Sequence, residues 1–332
     1  MGEARDALCD QTCLITGGSG TFGSAFIRYA LRHGAARVIA VSRNSDARYR
    51  LAQSHRDEPR LSVYPCRVDV LADVLAVCEL VGQIDVIVHA AAEKHIATGQ
   101  AFKPYTYDVN VIGGMNVLDA AQRYHIRRVI DLSSDKACEP VNFYGETKAE
   151  AERLFIQAGY TVVRYGNVVG SSGSVLPLFI QQRTAGRITI TDRRMTRFFM
   201  PVADDDHWRV TQMPGPEPVI SAVGLVVYAL THGAGGDLFV PTIPSASIQG
   251  LAEEIGPDCV IEETGIRDGE KLHEKLVADA EVKRTYRLTE GVFLILPQPV
   301  GELQPVESGF RYTSDVNPQQ IRVIHDDVPA SV

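Results

Sequence analysis

Four residues that can transfer protons lie within a short stretch in the middle of the chain. Asp135 and Lys136 directly follow Arg128 to Leu132, a run whose pattern predicts a strand. Tyr144 and Lys148 follow at the i, i+4 spacing that places two side chains on one face of a helix. A lysine ammonium beside a phenol favours the phenolate, so we expect the pKa of Tyr144 to lie below about 10. The segment predicts a site that takes a proton from a sugar hydroxyl while hydride leaves the same carbon.

Asp135 and Lys136 have a plainer interpretation as a solvated acid–base pair in a loop. The carboxyl end of a strand in an open α/β sheet is where ligands bind, and this position favours a functional pair. Because adjacent side chains diverge, we expect the two groups to serve two separated roles.

A glycine-rich turn near the start of the chain predicts a nucleotide site. Gly17, Gly20 and Gly23 are spaced G-x-x-G-x-x-G between a predicted strand, Thr12 to Thr16, and a predicted helix, Thr21 to His33. Glycine lets the backbone approach a pyrophosphate, and the helix N-terminus offers unpaired N–H groups. A tight turn without a ligand is the alternative, but the strand–turn–helix context favours a dinucleotide. The predicted cofactor-binding residues here are Gly17, Gly20, Thr21, Phe22 and Gly23.

Residues after the next predicted strands bear on which dinucleotide binds. Ser42 and Arg43 follow the second strand, where an acid suits NAD and an arginine suits the 2′-phosphate of NADP. Arg43 therefore favours NADP, although a solvated surface arginine is the alternative. Asp69 and Val70 follow the third strand, and they either contact adenine or form a turn or helix N-cap. Two small residues that allow close approach of a flat cofactor follow the fourth strand: Ala90 and Ala91.

Short apolar runs alternate with helical patterns through the first half of the chain. The strands are rich in Val and Ile without polar alternation, which indicates burial on both faces of a parallel sheet. We therefore predict the α/β class: a Rossmann-type doubly wound parallel sheet with a smaller C-terminal substrate-binding α/β region. The cofactor-binding domain is placed at residues 8–170, and the smaller region, interleaved with it, at 171–330.

The second half of the chain is less regular. Ala203 to Pro218 contain three consecutive acids and three prolines, and we interpret them as an exposed inserted loop. Lys271 to Val277 and Asn317 to Ile324 are each predicted to form a short helix. The run Asp204 to His207 also suggests a metal, but such a cluster in a loop is more often solvated charge, and we predict no metal site.

Composition limits the classes of function. The chain has 332 residues, 45% of them hydrophobic, and a formal net charge of −8, which argues against a general binder of nucleic acid or anionic membranes. We see no signal peptide and no apolar run long enough to span a bilayer. The six cysteines form neither Cys-x-x-Cys nor a zinc spacing. We expect a reduced, cytoplasmic protein that binds neither nucleic acid nor membranes.

Several motifs together resemble the extended short-chain dehydrogenase/reductases, and within them the inverting UDP-N-acetylglucosamine 4,6-dehydratases of polysaccharide biosynthesis. The general features are the glycine turn, "HAAA", Asn110 and Tyr-x-x-x-Lys. The more specific stretches are "SSDKA", "VRYGNVVGSSGSVLP", "ITDRRMTRF" and "GIRDGEKLHEKL". They extend to about Leu276, so the resemblance covers most of the chain.

The resemblance implies a redox-neutral elimination of water from a UDP-N-acetylhexosamine with bound NADP. Tyr144, assisted by Lys148, would take the C4 hydroxyl proton, and Lys148 would also contact the cofactor. Lys136 would remove the C5 proton, which requires a partly neutral amine, and Asp135 would protonate the departing C6 hydroxyl. A homo-oligomer is also expected. The residues that the resemblance assigns to the substrate are Lys94, Ser134, Asn167, Arg197 and Glu270. For all of them except Ser134, the alternative is a structural role in a salt bridge or a helix cap.

Three departures from the family pattern leave alternatives open. Cys138 and Glu139 replace a small residue and an Asn, either as supporting substitutions or as an additional reactive group. Glu93 replaces an apolar residue and would pair with a lysine near the site. The third departure is the insertion described above, which is a candidate lid. A 4-epimerase, a dehydratase that stops at a 5,6-alkene, and a non-catalytic module that senses NADP are the other functions consistent with the sequence.

Overall fold

A nine-stranded sheet lies at the centre of the computed structural model. The structure describes residues 7–171, 173–203, 208–212, 219–288, 291–301, 303–317 and 321–325. The strands in these ranges are β1 (Thr12–Thr16), β2 (Arg37–Ser42), β3 (Leu61–Pro65), β4 (Val86–His89), β5 (Arg128–Ser134), β6 (Thr161–Tyr165), β7 (Asn167–Val168), β8 (Arg187–Ile190), β9 (Thr196–Met200), β10 (Trp208–Gln212), β11 (Leu238–Pro241), β12 (Ser245–Ser247), β13 (Val260–Glu263), β14 (Lys275–Val277), β15 (Thr285–Arg287), β16 (Val292–Ile295), β17 (Tyr312–Thr313) and β18 (Ile321–His325).

Helices connect most of the strands of the large sheet. The α-helices are α1 (Thr21–Arg32), α2 (Ser45–Ser54), α3 (Leu71–Val81), α4 (Ile96–Ala101), α5 (Lys103–Tyr107), α6 (Gly113–Arg123), α7 (Phe143–Gln157), α8 (Val175–Arg183), α9 (Ala222–His232) and α10 (Ile248–Ile255). A π-helical turn, Asp108–Ile112, joins α5 to α6, and 3₁₀ turns occupy Asp135–Ala137 and Asp279–Arg284.

The order of strands in the large sheet is β3-β2-β1-β4-β5-β6-β11-β16-β15. The strands from β3 to β11 are parallel, and β16 and β15 complete the sheet in antiparallel pairing. The order 3-2-1-4-5-6 is that of the doubly wound dinucleotide-binding fold, with its switch point between β1 and β4. The structure therefore confirms the predicted α/β class. Because Thr16 lies opposite both Val41 and His89, the carboxyl ends of three central strands meet at one edge.

A smaller region is built on a second core beside the large sheet. Its parallel β8–β13 pair and its β7-β9-β12 sheet enclose buried side chains that include Leu176, Phe179, Ile188 and Leu251. The chain after residue 170 also supplies β11, β15 and β16 to the large sheet. Residues after 170 thus contribute to both parts of the fold.

Three predictions about the second half are wrong. The helix predicted from Lys271 to Val277 does not form: residues 271–274 are irregular, and the rest is β14, which pairs with β17. The predicted helix near the C-terminus is instead a strand, β18, and it pairs antiparallel with β10 inside the segment interpreted as a loop. The three errors arise because these strands pair with segments far away along the chain, which local periodicity does not detect.

Asn142 and Gly145 fix the start of α7 against the turn after β5. The Asn142 side chain accepts a hydrogen bond from Gly145 N at 2.8 Å, which caps the helix. A Cβ atom on Gly145 would collide with the carbonyl oxygen of Lys136, so only glycine permits this close approach. The contact places the first turns of α7 directly beside the 3₁₀ turn Asp135–Ala137.

A buried arginine joins the two parts of the fold. Arg164 on β6 is 2% exposed and donates from Nη1 to Glu281 Oε2 at 2.7 Å and from Nε to Glu152 Oε2 at 3.0 Å. Ser133 Oγ on β5 donates to the same Glu152 oxygen at 2.7 Å. Two carboxylates raise the pKa of Arg164 despite its burial, so the guanidinium remains charged. This network connects β5, β6 and α7 to the 3₁₀ turn that follows β14.

We predict that Arg164→Met destabilises the protein by about 3–5 kcal/mol, because it leaves two buried carboxylates without a cation. Urea unfolding followed by circular dichroism measures the change. Arg153→Met is the matched control, because Arg153 pairs with Glu150 at the surface of α7 and a surface ion pair contributes little. Equal midpoints for the two variants would contradict the prediction.

Candidate active site

A cleft of about 610 Å³ lies at the carboxyl ends of the parallel strands. Most predicted cofactor residues line it: Gly17, Gly20, Thr21, Phe22, Gly23, Ser42, Arg43, Asp69, Ala90, Ala91 and Lys148. Val70 does not; it is the N-cap residue directly before α3, and Val68 lines the cleft instead. Since Val70 is the N-cap residue, Asp69 is not, and its side chain pairs with Arg67.

The glycine turn forms a backbone cradle at the start of α1. Gly17 has a φ of +67°, and a Cβ atom there would come within 2.9 Å of the backbone of Ala90. Gly20 is the N-cap residue of α1 and has no side chain that could accept hydrogen bonds from the first amide groups of the helix. The first turn of α1 lines the cleft, where these amide groups and the helix dipole suit an anion. Ser19 was missed by sequence reasoning; it lines the cleft and donates to Ser42 Oγ at 2.7 Å.

A second cavity of about 280 Å³ adjoins the cleft and shares part of its wall. Three residues line both spaces: Lys136, Asn167 and Gly173. Lys94 and Ser134 line the cleft, whereas Arg197 and Glu270 line the second cavity. All the predicted substrate residues are therefore brought to two connected spaces.

Arg197 is more constrained than the sequence suggested. Its guanidinium donates to the backbone carbonyl oxygens of Thr196 at 2.7 Å, Leu272 at 3.0 Å and Lys271 at 2.9 Å. Most of its donors are therefore committed to holding the segment before β14. This arrangement supports the structural alternative for Arg197, as a residue that builds the cavity wall.

Asp135 and Lys136 converge on each other instead of diverging. Asp135 is fully buried, and its Oδ1 atom lies 2.9 Å from Lys136 Nζ. Ser134 Oγ donates to the same oxygen at 3.0 Å, and Lys136 Nζ donates to Asn167 Oδ1 at 2.8 Å. The expectation of two separated groups is wrong because the 3₁₀ turn folds both side chains onto one point. The lysine lines the cleft, and the acid lies behind it.

Glu274 completes a cluster of charges around this pair, and sequence reasoning missed it. Its Oε1 atom lies 3.5 Å from Lys136 Nζ and 3.7 Å from Arg197 Nε, and its Oε2 atom lies 3.8 Å from Lys271 Nζ. The side chain of Asn142, which caps α7, donates to Gly269 O at 2.6 Å and so holds this segment against the site. Glu274 is the last residue of the motif "GEKLHE", and its place in that motif was the available signal.

The pKa values of the cluster are set by burial and by mutual attraction. Burial raises the pKa of Asp135, and the neighbouring Glu274 adds to the rise. Burial favours the neutral form of Lys136, but Asp135 and Glu274 outweigh it and raise the pKa of the amine. The pKa of Glu274 is lowered, because three cations outweigh its burial. The partly neutral lysine expected from the sequence is therefore not the resting state; the proton lies on Lys136, one short hydrogen bond from Asp135.

Tyr144 and Lys148 lie on α7 and both line the cleft. Burial raises the pKa of Tyr144 to about 12, although Lys136 and the hydroxyl of Ser134 act to lower it. The lowered pKa predicted from the lysine spacing is wrong, because burial of the phenol outweighs the nearby cation, and Lys148 Nζ lies 3.7 Å from Asp131 Oδ2. Asp131 is fully buried on β5, and sequence reasoning missed it because one acid within a strand run carries no signal.

The two unusual residues after the turn have structural contacts. Cys138 is 1% exposed, and burial raises the pKa of its thiol to about 12. Glu139 binds Lys275 Nζ at 2.8 Å and accepts from Asp279 N at 3.1 Å. These contacts favour supporting substitutions over an additional reactive group.

Glu93 forms an ion pair with an arginine, and its charge also acts on the neighbouring lysine, where it partly offsets the lowering of the pKa of Lys94 by burial. Its carboxylate lies 3.2 Å from Arg43 Nη2, which bridges from the end of β2 to the segment after β4. Both residues line the cleft.

In the described part of the chain, no group of three or more His, Cys, Asp or Glu side chains is placed to hold a metal ion. The predicted absence of a metal at Asp204 to His207 stays a prediction, since these residues lie outside the described ranges. Within those ranges no helix is both long and apolar enough to cross a bilayer.

A model of the family described as "Polysaccharide biosynthesis protein" matches residues 13–213 and 218–295. The chain belongs to this family. This chain is 33% identical over 347 residues to a UDP-N-acetylglucosamine 4,6-dehydratase (inverting) of Campylobacter jejuni. The match covers 93% of this chain and 94% of the relative. The chain is also 34% identical over 295 residues to a UDP-glucose 4-epimerase of Rickettsia conorii, covering 83% and 80%. The predicted resemblance to the inverting dehydratases is confirmed.

Solved structures agree with the observed fold. Pen from Bacillus thuringiensis has a TM-score of 0.82 and 29% identity, covering 93% of this chain and 94% of that one. A dTDP-glucose 4,6-dehydratase from Bacillus anthracis, solved in complex with NAD, has a TM-score of 0.63 and 20% identity, covering 78% and 86%. The second likeness bears on the fold alone.

We predict that iodoacetamide at pH 8 labels Cys9 and Cys259, which are partly exposed, well before Cys138 in the native protein. A raised pKa lowers the thiolate fraction at every pH below it, so Cys138 should react only near pH 12 or after unfolding. Peptide mass spectrometry of the alkylated protein measures each site. Cys78, which is buried with a raised pKa, should be protected in the same way. Equal labelling of Cys138 and Cys9 would show that the thiol is accessible.

Proposed function

We propose that this chain is a UDP-N-acetylhexosamine 4,6-dehydratase that inverts C5, with NADP as its bound dinucleotide. The observation that carries the proposal is the contact of 2.9 Å between Lys136, which lines both the cleft and the second cavity, and Asp135, which is buried directly behind it. An elimination needs an acid and a base together, and an enzyme that only moves hydride does not. The relatives named 4,6-dehydratases support the same class of reaction.

The residues of the cleft fit a nicotinamide dinucleotide. The glycine cradle, which a Cβ atom on Gly17 would fill, and the start of α1 suit a pyrophosphate. Arg43 suits the additional phosphate of NADP. When bound, the dinucleotide supplies a hydride acceptor for C4 and later a hydride donor for C6. Related folds have been solved with NAD, which supports this class of cofactor.

Tyr144 first loses its phenolic proton to the cleft, a step that the positive charge of Lys136 favours and burial opposes. As the phenolate it then takes the proton of the C4 hydroxyl. Lys148 lies one helical turn further along the same face. The resulting ketone acidifies the C5 proton. A proton shift across the 2.9 Å contact turns the ammonium of Lys136 and the carboxylate of Asp135 into an amine and a carboxylic acid. One intramolecular transfer thereby prepares both the base for C5 and the acid for the C6 oxygen. Burial supports this shift, because the neutral pair is favoured in a low-dielectric site.

The protons balance over the whole reaction. Two are removed, one from the C4 hydroxyl and one from C5. One leaves with the C6 hydroxyl as water, and one returns to C5 on the opposite face. Asn167, which accepts from Lys136 Nζ, orients the amine toward the substrate. Lys94 and Ser134, which line the cleft, bind phosphate or sugar oxygens of the substrate. Glu270, which lines the second cavity, accepts a hydrogen bond from a substrate hydroxyl.

A 4-epimerase is the second candidate, because relatives of similar identity carry that name. An epimerase leaves the mass of the sugar nucleotide unchanged. It also has no need of an acid–base pair beside the Tyr-x-x-x-Lys residues, which is why the dehydratase is preferred. A dehydratase that stops at a 5,6-alkene would release water without placing deuterium at C5. A redox-sensing module would show no turnover.

We expect the protein, incubated with UDP-N-acetylglucosamine in D₂O, to release a product lighter by one water with deuterium at C5. NADPH absorbance should show no net change, because hydride is returned. Lys136→Ala should lower the rate by about 10²–10⁴-fold, the usual contribution of a general base. Mass spectrometry and proton NMR of the product provide the measurement.

Lys283→Ala is the matched control, because Lys283 is exposed on the 3₁₀ turn after β14. It should retain the wild-type rate. A product without deuterium at C5, or a fully active Lys136→Ala variant, would refute the assignment of Lys136.

Glu274→Gln should move both limbs of the pH–rate profile of dehydration to lower pH, by about one unit. A nearby carboxylate raises the pKa of any proton donor or acceptor beside it, so its removal lowers the pKa of Lys136 and of Asp135 alike. The same substitution at exposed Glu253 on α10 should leave the profile in place. An unshifted profile for Glu274→Gln would show that the carboxylate has no electrostatic influence on the pair.

A further inference from the structure

Arg43 is held in a clasp across the cleft. Its guanidinium lies 3.2 Å from Glu93 Oε2, donates to the hydroxyl of Tyr105 on α5, and has its central carbon 5.2 Å from the centre of the Tyr105 ring. Arg43 comes from the end of β2 and Glu93 from the segment after β4, so the contact spans the end of β1, which lies between those strands. The clasp is defined here as Arg43, Glu93 and Tyr105.

Glu93 is the fixed member of the clasp. Its side chain is 8% exposed, and its Oε1 atom accepts from His95 N at 3.3 Å. Its own backbone is held by Asn110, whose Oδ1 accepts from Glu93 N at 2.7 Å and whose Nδ2 donates to Glu93 O at 3.1 Å. Asn110 in turn donates to Thr147 Oγ1 on α7 at 2.9 Å. The carboxylate therefore has little freedom to move away.

Arg43 is the movable member. Its side chain is 45% exposed, against 8% for Glu93. An arginine presents a planar fork of donors that binds a carboxylate or a phosphate in the same manner. The guanidinium already binds one anion, the carboxylate of Glu93. To bind a second anion brought by a ligand, it would have to contact both or release Glu93.

We propose that Glu93 sets the dinucleotide selectivity of this chain by competing with the 2′-phosphate of NADP for Arg43. The competition reduces the advantage that Arg43 gives to NADP, so the protein also binds NAD. Glu93 provides, from the segment after β4, the acid that NAD sites usually carry after the second strand. The inference rests on the proposed dinucleotide site and deepens it by naming the residue that tunes the choice.

The experiment is a competition between the two dinucleotides for the full-length protein. The protein is equilibrated with an equimolar excess of NAD⁺ and NADP⁺, passed through a desalting column and denatured, and the released nucleotides are quantified by chromatography. The readout is the ratio of bound NADP to bound NAD, which does not depend on turnover. Thermal melting of each variant verifies the fold.

Glu93→Gln should raise this ratio about tenfold, the scale of one charge-assisted hydrogen bond. Glutamine has the same size, and its amide oxygen can still accept from His95 N. Arg43→Ala should lower the ratio below that of the wild type. Tyr105→Phe is the matched control within the clasp, since it keeps the ring beneath the guanidinium and should change the ratio by less than about threefold.

Two results would overturn the proposal. One is a Glu93→Gln protein that binds both dinucleotides in the wild-type ratio. The other is a tenfold rise that persists in full when Arg43→Ala is also present, because Glu93 would then not act through Arg43. A wild-type protein that retains neither dinucleotide would refute the proposed function itself, which is a distinguishable outcome.

Discussion

The contact between Asp135 and Lys136 is the constraint on which the candidate site depends. A buried carboxylate and an ammonium at 2.9 Å are stable only while both remain paired and shielded. The surrounding structure serves this requirement: Ser134 donates to Asp135 Oδ1, Asn167 accepts from Lys136, and Glu274 balances the nearby cations. The absence of a side chain at Gly145 lets α7 lie against the turn. Tyr144, the base of the proposed reaction, therefore lies next to the pair that the same proposal uses for internal proton exchange.

The buried charges also show why spacing alone is a poor guide to acidity. Tyr144 and Lys148 have the spacing of neighbours on a helix, yet the amine is near Asp131 and the phenol is controlled by burial. Lys136 was expected to be partly neutral, yet Asp135 and Glu274 raise the pKa of its amine. The partner of Lys148 comes from another element, and Lys136 has one anion from its own turn and one from the segment before β14, so the fold decides the balance between burial and charge.

Much of the fold and the site was predictable from the sequence, for identifiable reasons. Parallel strands buried on both faces leave continuous apolar runs, and the glycine turn marks where the first strand ends. Because parallel strands end at one edge, residues such as Arg43 and Asp135 were predictably close to one cleft. What failed was long-range: the pairing of β10 with β18, the strand β14, and the charges of Asp131 and Glu274. The strands and Asp131 have no local pattern, and although Glu274 lies in a recognisable motif, its contacts with Lys136 and Arg197 depend on residues distant along the chain.

The Arg164 network has a consequence for how a ligand enters. Because one buried guanidinium binds α7 and the turn after β14 together, the wall that carries Glu274 is fastened to the sheet that carries Asp135. A hinge between two lobes would have to break this buried network. For the function proposed above, this means a gap of nearly constant width, in which selection among sugar nucleotides would depend on shape and hydrogen bonding at the wall more than on closure around the ligand.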